Sequence, residues 1–85
     1  MPTVVLYGRE GCCLCDEARE VLLAARERLP FVFQELDIDE DETLQRAYLE
    51  RIPVVTIDGV ETFELFVDPA ELERRLNSPG TADRR

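Results

Sequence analysis

The chain is predicted to be an α/β domain: a four-stranded mixed sheet with helices packed on its faces, built in the order strand, helix, strand, helix, strand, strand, helix. Three observations predict it. Two apolar runs, Val4 to Tyr7 and Phe31 to Phe33, are separated by a stretch with helical apolar spacing, the pattern of a strand, helix, strand unit. Two further β-rich runs meet at Asp58-Gly59, a dipeptide that tolerates the positive φ angles of a tight hairpin turn. At 85 residues the chain is too short for a second core, so one domain is expected over residues 1–77, with 78–85 as a flexible C-terminal tail.

Val4-Val5-Leu6-Tyr7 reads as a buried first strand, and Gly8-Arg9-Glu10-Gly11 as the loop that ends it. From Cys15 the apolar positions fall at Ala18, Val21, Leu22, Ala25 and Leu29, one face of an amphipathic helix that ends before Pro30. Phe31 to Asp37 is the second strand; joined to the first through the helix, it should pair in parallel by a right-handed crossover. The acidic run from Asp37 to Glu42 is read as solvated surface. Leu44, Ala47, Tyr48 and Ile52 mark the apolar side of a short second helix. Val54 to Ile57 and Val60 to Val67 form the hairpin strands. Asp68-Pro69-Ala70-Glu71 then opens the last helix, with Asp68 as N-cap, Pro69 at the first helical position and Glu71 placed for a capping box.

Composition excludes several functions. A net charge of −9 argues against nucleic acid, which needs a clustered basic face, and against anionic membrane surfaces. No stretch approaches the length of a membrane span and the N-terminus lacks a signal-peptide layout, so the cytoplasm is the expected location. There is no histidine, which removes the commonest general base and the commonest zinc ligand. Any catalysis must therefore run on thiols or carboxylates.

The chain's three cysteines, Cys12, Cys13 and Cys15, stand within four positions at the passage from strand to helix. In a reducing compartment such a cluster points to redox or metal chemistry rather than to a permanent disulfide. Cys12 and Cys15 form a Cys-x-x-Cys pair at the helix start. There the unpartnered first-turn N–H groups and the helix dipole favour a thiolate on Cys12, while Glu10, Asp16 and Glu17 act in the opposite sense. The spacing of three lets the Cys15 sulfur reach the Cys12 sulfur, the geometry of attack followed by resolution in thiol–disulfide exchange.

The stretch "VVLYGREGCCLCDEAREVL", with "RIPVVTIDG" downstream, resembles the glutaredoxin branch of the thioredoxin-like proteins, in particular small bacterial glutaredoxin-like proteins with a Cys-x-Leu-Cys active stretch. The resemblance implies a thioredoxin-like βαβαββα fold of strand order 2-1-3-4, with Cys12 as nucleophile and Cys15 as resolving thiol. It also implies a cis proline at Pro53 beside the cysteines, with the backbone of Ile52 pairing with bound substrate. The expected partner is a disulfide-containing protein or a low-molecular-weight thiol, and the expected form is a monomer without cofactor or metal.

Two departures from the glutaredoxin pattern bear on substrate. Cys13-Leu14 stands between the cysteines where a Pro-Tyr pair is usual, and Phe63-Glu64 stands where a glycine pair helps to bind glutathione. Glutathione is an anion, and Glu10, Asp16, Glu17 and Glu64 should repel it, with Arg9 the one nearby counter-charge in sequence. Two other readings stay open: a metal or iron–sulfur cluster carrier that shares the thiols between two chains, and a partner-binding module without turnover. Cys13 is read as a bystander, Tyr7 as a strand residue and Asp37 as a strand-end carboxylate. Arg51 is either a surface charge or a flank of the substrate groove.

Overall fold

The computed structural model describes residues 2–77. It contains strand β1 (Thr3–Gly8), helix α1 (Cys13–Arg26), strand β2 (Val32–Asp37), a short 3₁₀ turn (Ile38–Glu40), helix α2 (Glu42–Tyr48), strands β3 (Val54–Ile57) and β4 (Val60–Glu64), and helix α3 (Pro69–Asn77). The strands lie in the order β2-β1-β3-β4, the thioredoxin-like order. β1 pairs with β2 in parallel and with β3 antiparallel; β3 and β4 are antiparallel, with a register shift between Val55 and Thr56. The expected tail at 78–85 lies outside the described residues. Among those described, no helix is long and apolar enough to cross a membrane.

Alternation along β1 sends Val4 and Leu6 to one face of the sheet, where they meet Ala18, Leu22 and Ala25 of α1, Val55 of β3 and Leu72 of α3. The three-and-four spacing read from the sequence is thus the buried stripe of α1. The apolar run opening β2 is less buried than it looks: Phe31 joins the core, but β2 is an edge strand and Val32 and Leu36 stay exposed.

Three local expectations are corrected. The acidic run is more than solvated surface: Ile38 within it is fully buried. The Asp37 carboxylate accepts the Asp39 N–H at 2.8 Å, and Asp41 caps α2 by accepting from Thr43 at 2.8 Å and Leu44 at 3.3 Å. The second correction concerns α2, which buries none of its residues; Tyr48 instead stacks on Tyr7 with ring centroids 4.9 Å apart. Finally, the capping box of α3 is half formed. Asp68 accepts the Ala70 N–H at 3.0 Å, whereas Glu71 turns to Arg74 and to Arg75, at 2.8 Å from the latter's Nε.

The hairpin turn follows its dipeptide: Asp58 and Gly59 have φ of 52° and 84°, both positive as a type I′ turn requires. Strand β4 is shorter than the apolar run suggests. It stops at Glu64 because Leu65 turns to φ 69° and donates its N–H to the carbonyls of Pro53, at 2.8 Å, and Arg51, at 3.1 Å. That turn takes the chain off the sheet and drops Val67 into the core.

Candidate active site

The cysteines are placed by the passage from β1 to α1. Gly11, at φ 82°, makes the turn into the helix, a backbone conformation that suits glycine. Helix α1 begins at Cys13, two residues earlier than its apolar stripe, because Cys12 caps it. The Cys12 backbone is extended, and its sulfur accepts the Cys15 N–H at 3.2 Å, the role an Asp or Ser oxygen plays at other helix starts. The Cys12 carbonyl accepts the Asp16 N–H at 3.1 Å. All three thiols are free. Cys12 is half-buried, Cys13 faces solvent as expected of a bystander, and Cys15 is buried beneath the helix start.

Gly8, which the sequence offered only as the start of a loop, is the last residue of β1 and the floor under Cys15. A Cβ at this position would lie 2.9 Å from the Cys15 sulfur and 3.2 Å from its Cβ, so the last residue of β1 must lack a side chain for the buried thiol to sit where it does. The neighbouring strand brings the proline to the same place. The β1–β3 register pairs Tyr7 with Val54, and one step further sets Pro53 against Gly8. The Ile52–Pro53 peptide is cis. Of the backbone groups of Ile52, the N–H is donated to the Tyr48 carbonyl at 3.0 Å.

Burial pushes the Cys15 thiol up to about 12, helped by its hydrogen bond with the Cys12 side chain and by the charge there; the Arg9 backbone N–H opposes the shift. The folded state thus keeps Cys15 protonated where an unfolded chain, with a thiol near 9.0, would not. The stabilisation this confers is fully present below pH 9 and is lost as the pH rises towards 12. Reduced protein should therefore lose stability across that window, and Cys15→Ala should lose less of it. Chemical unfolding at a series of pH values measures the difference; parallel curves would refute it.

The surrounding carboxylates differ in whether they are compensated. Arg19 binds Glu35 through Nε at 2.9 Å and Asp16 at 2.9 Å, which holds its guanidinium firmly protonated. Arg9, the counter-charge expected for an anionic substrate, pairs with Asp39 at 3.2 Å instead. Arg51 is a surface charge that ties the residue before Ile52 to β4. It bonds Glu61 and, at 3.1 Å through Nε, Glu64, while its guanidinium lies 5.3 Å from the Tyr48 ring centroid. Its hydrogen bond holds the Glu61 carboxyl below the usual range, and burial, then Glu61, pushes the Tyr48 hydroxyl up. Among the described residues, Glu10 and Glu17 have no arginine partner. No group of three or more Cys, Asp or Glu among these residues has metal-holding geometry.

Asp37 lies in a groove of about 620 Å³ bounded by Arg9, Glu10, Asp16, Arg19 and Glu35. Its carboxylate serves the 3₁₀ turn. Tyr7, next to Gly8 at the thiol end of β1, packs on Tyr48. Neither contacts the thiols through a hydrogen bond of the described residues.

Residues 3–77 match the glutaredoxin-like domain family (DUF836). Protein Ne2328 from Nitrosomonas europaea, solved by NMR, is 32% identical over 88% of this chain and 91% of its own, with a TM-score of 0.77. The X-ray structure of protein XcR50 from X. campestris is 33% identical over 88% of this chain and 96% of its own, at a TM-score of 0.74. A thioredoxin mutant from Halobacterium salinarum, 21% identical over 91% of this chain and 73% of its own, shares the fold at a TM-score of 0.69.

Proposed function

The chain belongs to the glutaredoxin-like domain family, and from that premise we propose that it is a thiol–disulfide oxidoreductase working through Cys12 and Cys15. The observation that carries this reading is the difference between the two sulfurs. One is half-buried at a helix N-terminus and accepts a backbone N–H; the other is buried directly behind it and protonated.

That difference orders the steps. The Cys12 thiolate attacks one sulfur of a substrate disulfide; a Cys12–substrate S–S bond forms, and the departing sulfur leaves with the electron pair as a thiolate. Two of the influences that hold the Cys15 proton come from Cys12: the hydrogen bond and the charge. Both disappear once Cys12 is in the mixed disulfide, while burial, the largest influence, remains against the Arg9 N–H and the Arg19 charge. Cys15 attacks the Cys12 sulfur as its proton passes to the departing substrate sulfur, forming the Cys12–Cys15 disulfide and releasing the substrate as a thiol. Resolution is thereby timed to follow attack. A thiol reductant restores the pair. In this reading Ile52 and Pro53 line the substrate's approach, the Ile52 carbonyl, which accepts no backbone N–H among the described residues, pairs with it, and the protein acts as a cytoplasmic monomer on protein or low-molecular-weight disulfides.

The test is reduction of insulin disulfides with a regenerating thiol system. The protein should accelerate the reaction over the thiol alone in proportion to its concentration. No acceleration with insulin or with small mixed disulfides would favour a binding module without turnover.

A further inference from the structure

Beside the cysteines a small cleft of about 50 Å³ opens between the first turns of α1 and the segment that leaves β4. Leu14 and Val21 line one wall, Leu65 and Phe66 the other, and Glu17 is the single charged residue. Three of these apolar side chains face water: Leu14 is 47% exposed, Leu65 46% and Phe66 65%. Leu14 sits between Cys13 and Cys15, inside the active stretch itself.

Leu65 carries a second mark. Its φ of 69° lies in the left-handed region, which favours glycine over a residue with a side chain. Its N–H is held by the carbonyls of Pro53 and Arg51, so this strained residue is fastened to the Ile52-Pro53 segment. The backbone thus presents an exposed leucine to the rim of the thiol site at a position where glycine would be relaxed. Charge marks the same place. Asp16 and Glu64 are paired with Arg19 and Arg51, which also hold Glu35 and Glu61, whereas Glu17, in the cleft, and Glu10, before the cysteines, have no arginine partner among the described residues.

We propose that this cleft selects polypeptide substrates, taking up an apolar side chain next to the substrate half-cystine while Glu17 pairs with a basic residue beside it. The inference rests on the thiol–disulfide reading and names its substrate class. Glutathione, small and net anionic, offers the cleft no large apolar group, and its one ammonium is carried beside a carboxylate.

Peptides carrying one cysteine in a mixed disulfide with thionitrobenzoate test it. The Cys12 thiolate attacks the peptide sulfur, the Cys12–peptide S–S bond forms, and the peptide–thionitrobenzoate bond breaks. Thionitrobenzoate departs with the electron pair as a coloured thiolate, so no outside oxidant is needed. Four peptides differ only in two flanking residues: leucine or serine, and arginine or glutamate. With reduced protein, the leucine–arginine peptide should release the colour about tenfold faster than the serine–glutamate one, the sum of one partly buried apolar side chain and one exposed ion pair. Phe66→Ala, which trims a mostly exposed side chain, should shrink the leucine preference towards one. Glu17→Gln should remove the arginine preference and its salt dependence.

Equal rates for the four peptides, or a leucine preference that survives Phe66→Ala combined with Leu14→Ser, would overturn the proposal. So would a stable dimer that Phe66→Ala dissociates, since the cleft would then belong to a second copy. Release that persists undiminished in Cys12→Ser would refute the thiol–disulfide reading itself, and the proposal with it. Loss of release in Cys12→Ser with flat peptide preferences would sink the cleft alone.

Discussion

Replacing Cys12 by serine should lower disulfide-reductase activity by at least about a thousandfold, because the attacking sulfur is lost and serine offers no comparable nucleophile near neutral pH. Cys13→Ser should change the rate by less than about twofold. The contrast matters because the two thiols are adjacent in sequence and both reach solvent. What separates them is the helix. Cys12 is the N-cap, its sulfur fixed by the Cys15 N–H with the buried thiol behind it, whereas Cys13 is the first helical residue and points outward. A rate assay on both variants, with folding checked by circular dichroism, decides the matter. Equal losses in the two would mean that the thiols act jointly.

Gly8→Ala should lower the melting temperature by about 5 to 20 °C, the consequence of roughly 1 to 3 kcal/mol of overpacking in a domain of this size. The added methyl would meet the Cys15 sulfur at 2.9 Å, and that sulfur belongs to a side chain already buried. The cost is therefore expected to depend on that sulfur. In a Cys15→Ala background, where only the 3.2 Å contact with Cβ remains, Gly8→Ala should cost half as much or less. Thermal unfolding of the four proteins in the cycle gives the coupling directly. Where Gly8→Ala folds, it should also prolong the mixed disulfide, since a displaced Cys15 is slower to resolve it. An unchanged lifetime would leave Gly8 a packing residue only.

The fold was legible because its signals are local and periodic. Apolar spacing along α1, the β-branched run of β1 and the Asp58-Gly59 turn each act over a few residues, and together they give the element order and a mixed sheet, while the strand order followed from the family resemblance. The cysteine pair and Ile52-Pro53 were legible through their spacing and through the family resemblance. What sequence could not show was contact between distant residues. Gly8 matters because of a sulfur seven positions on, and Arg51 because the hairpin folds Glu61 and Glu64 back to it. The acidic run misled because net charge hides the caps made by individual carboxylates and the one apolar residue, Ile38, within it. Leu65 gave no signal either: its left-handed backbone stands at a residue type that does not announce one. Phe63-Glu64 drew attention as a site of repulsion, but Glu64 shares Arg51 with Glu61, and of the carboxylates expected to repel an anion Glu10 and Glu17 are the two without an arginine partner among the described residues.

The most direct test of the account is to trap the intermediate. Cys15→Ser protein, incubated with a disulfide substrate and digested without reductant, should yield one stable adduct, and peptide mapping by mass spectrometry should place it on Cys12. An adduct on Cys13, or none at all while activity persists, would contradict the assignment of attacker and resolver on which the mechanism stands.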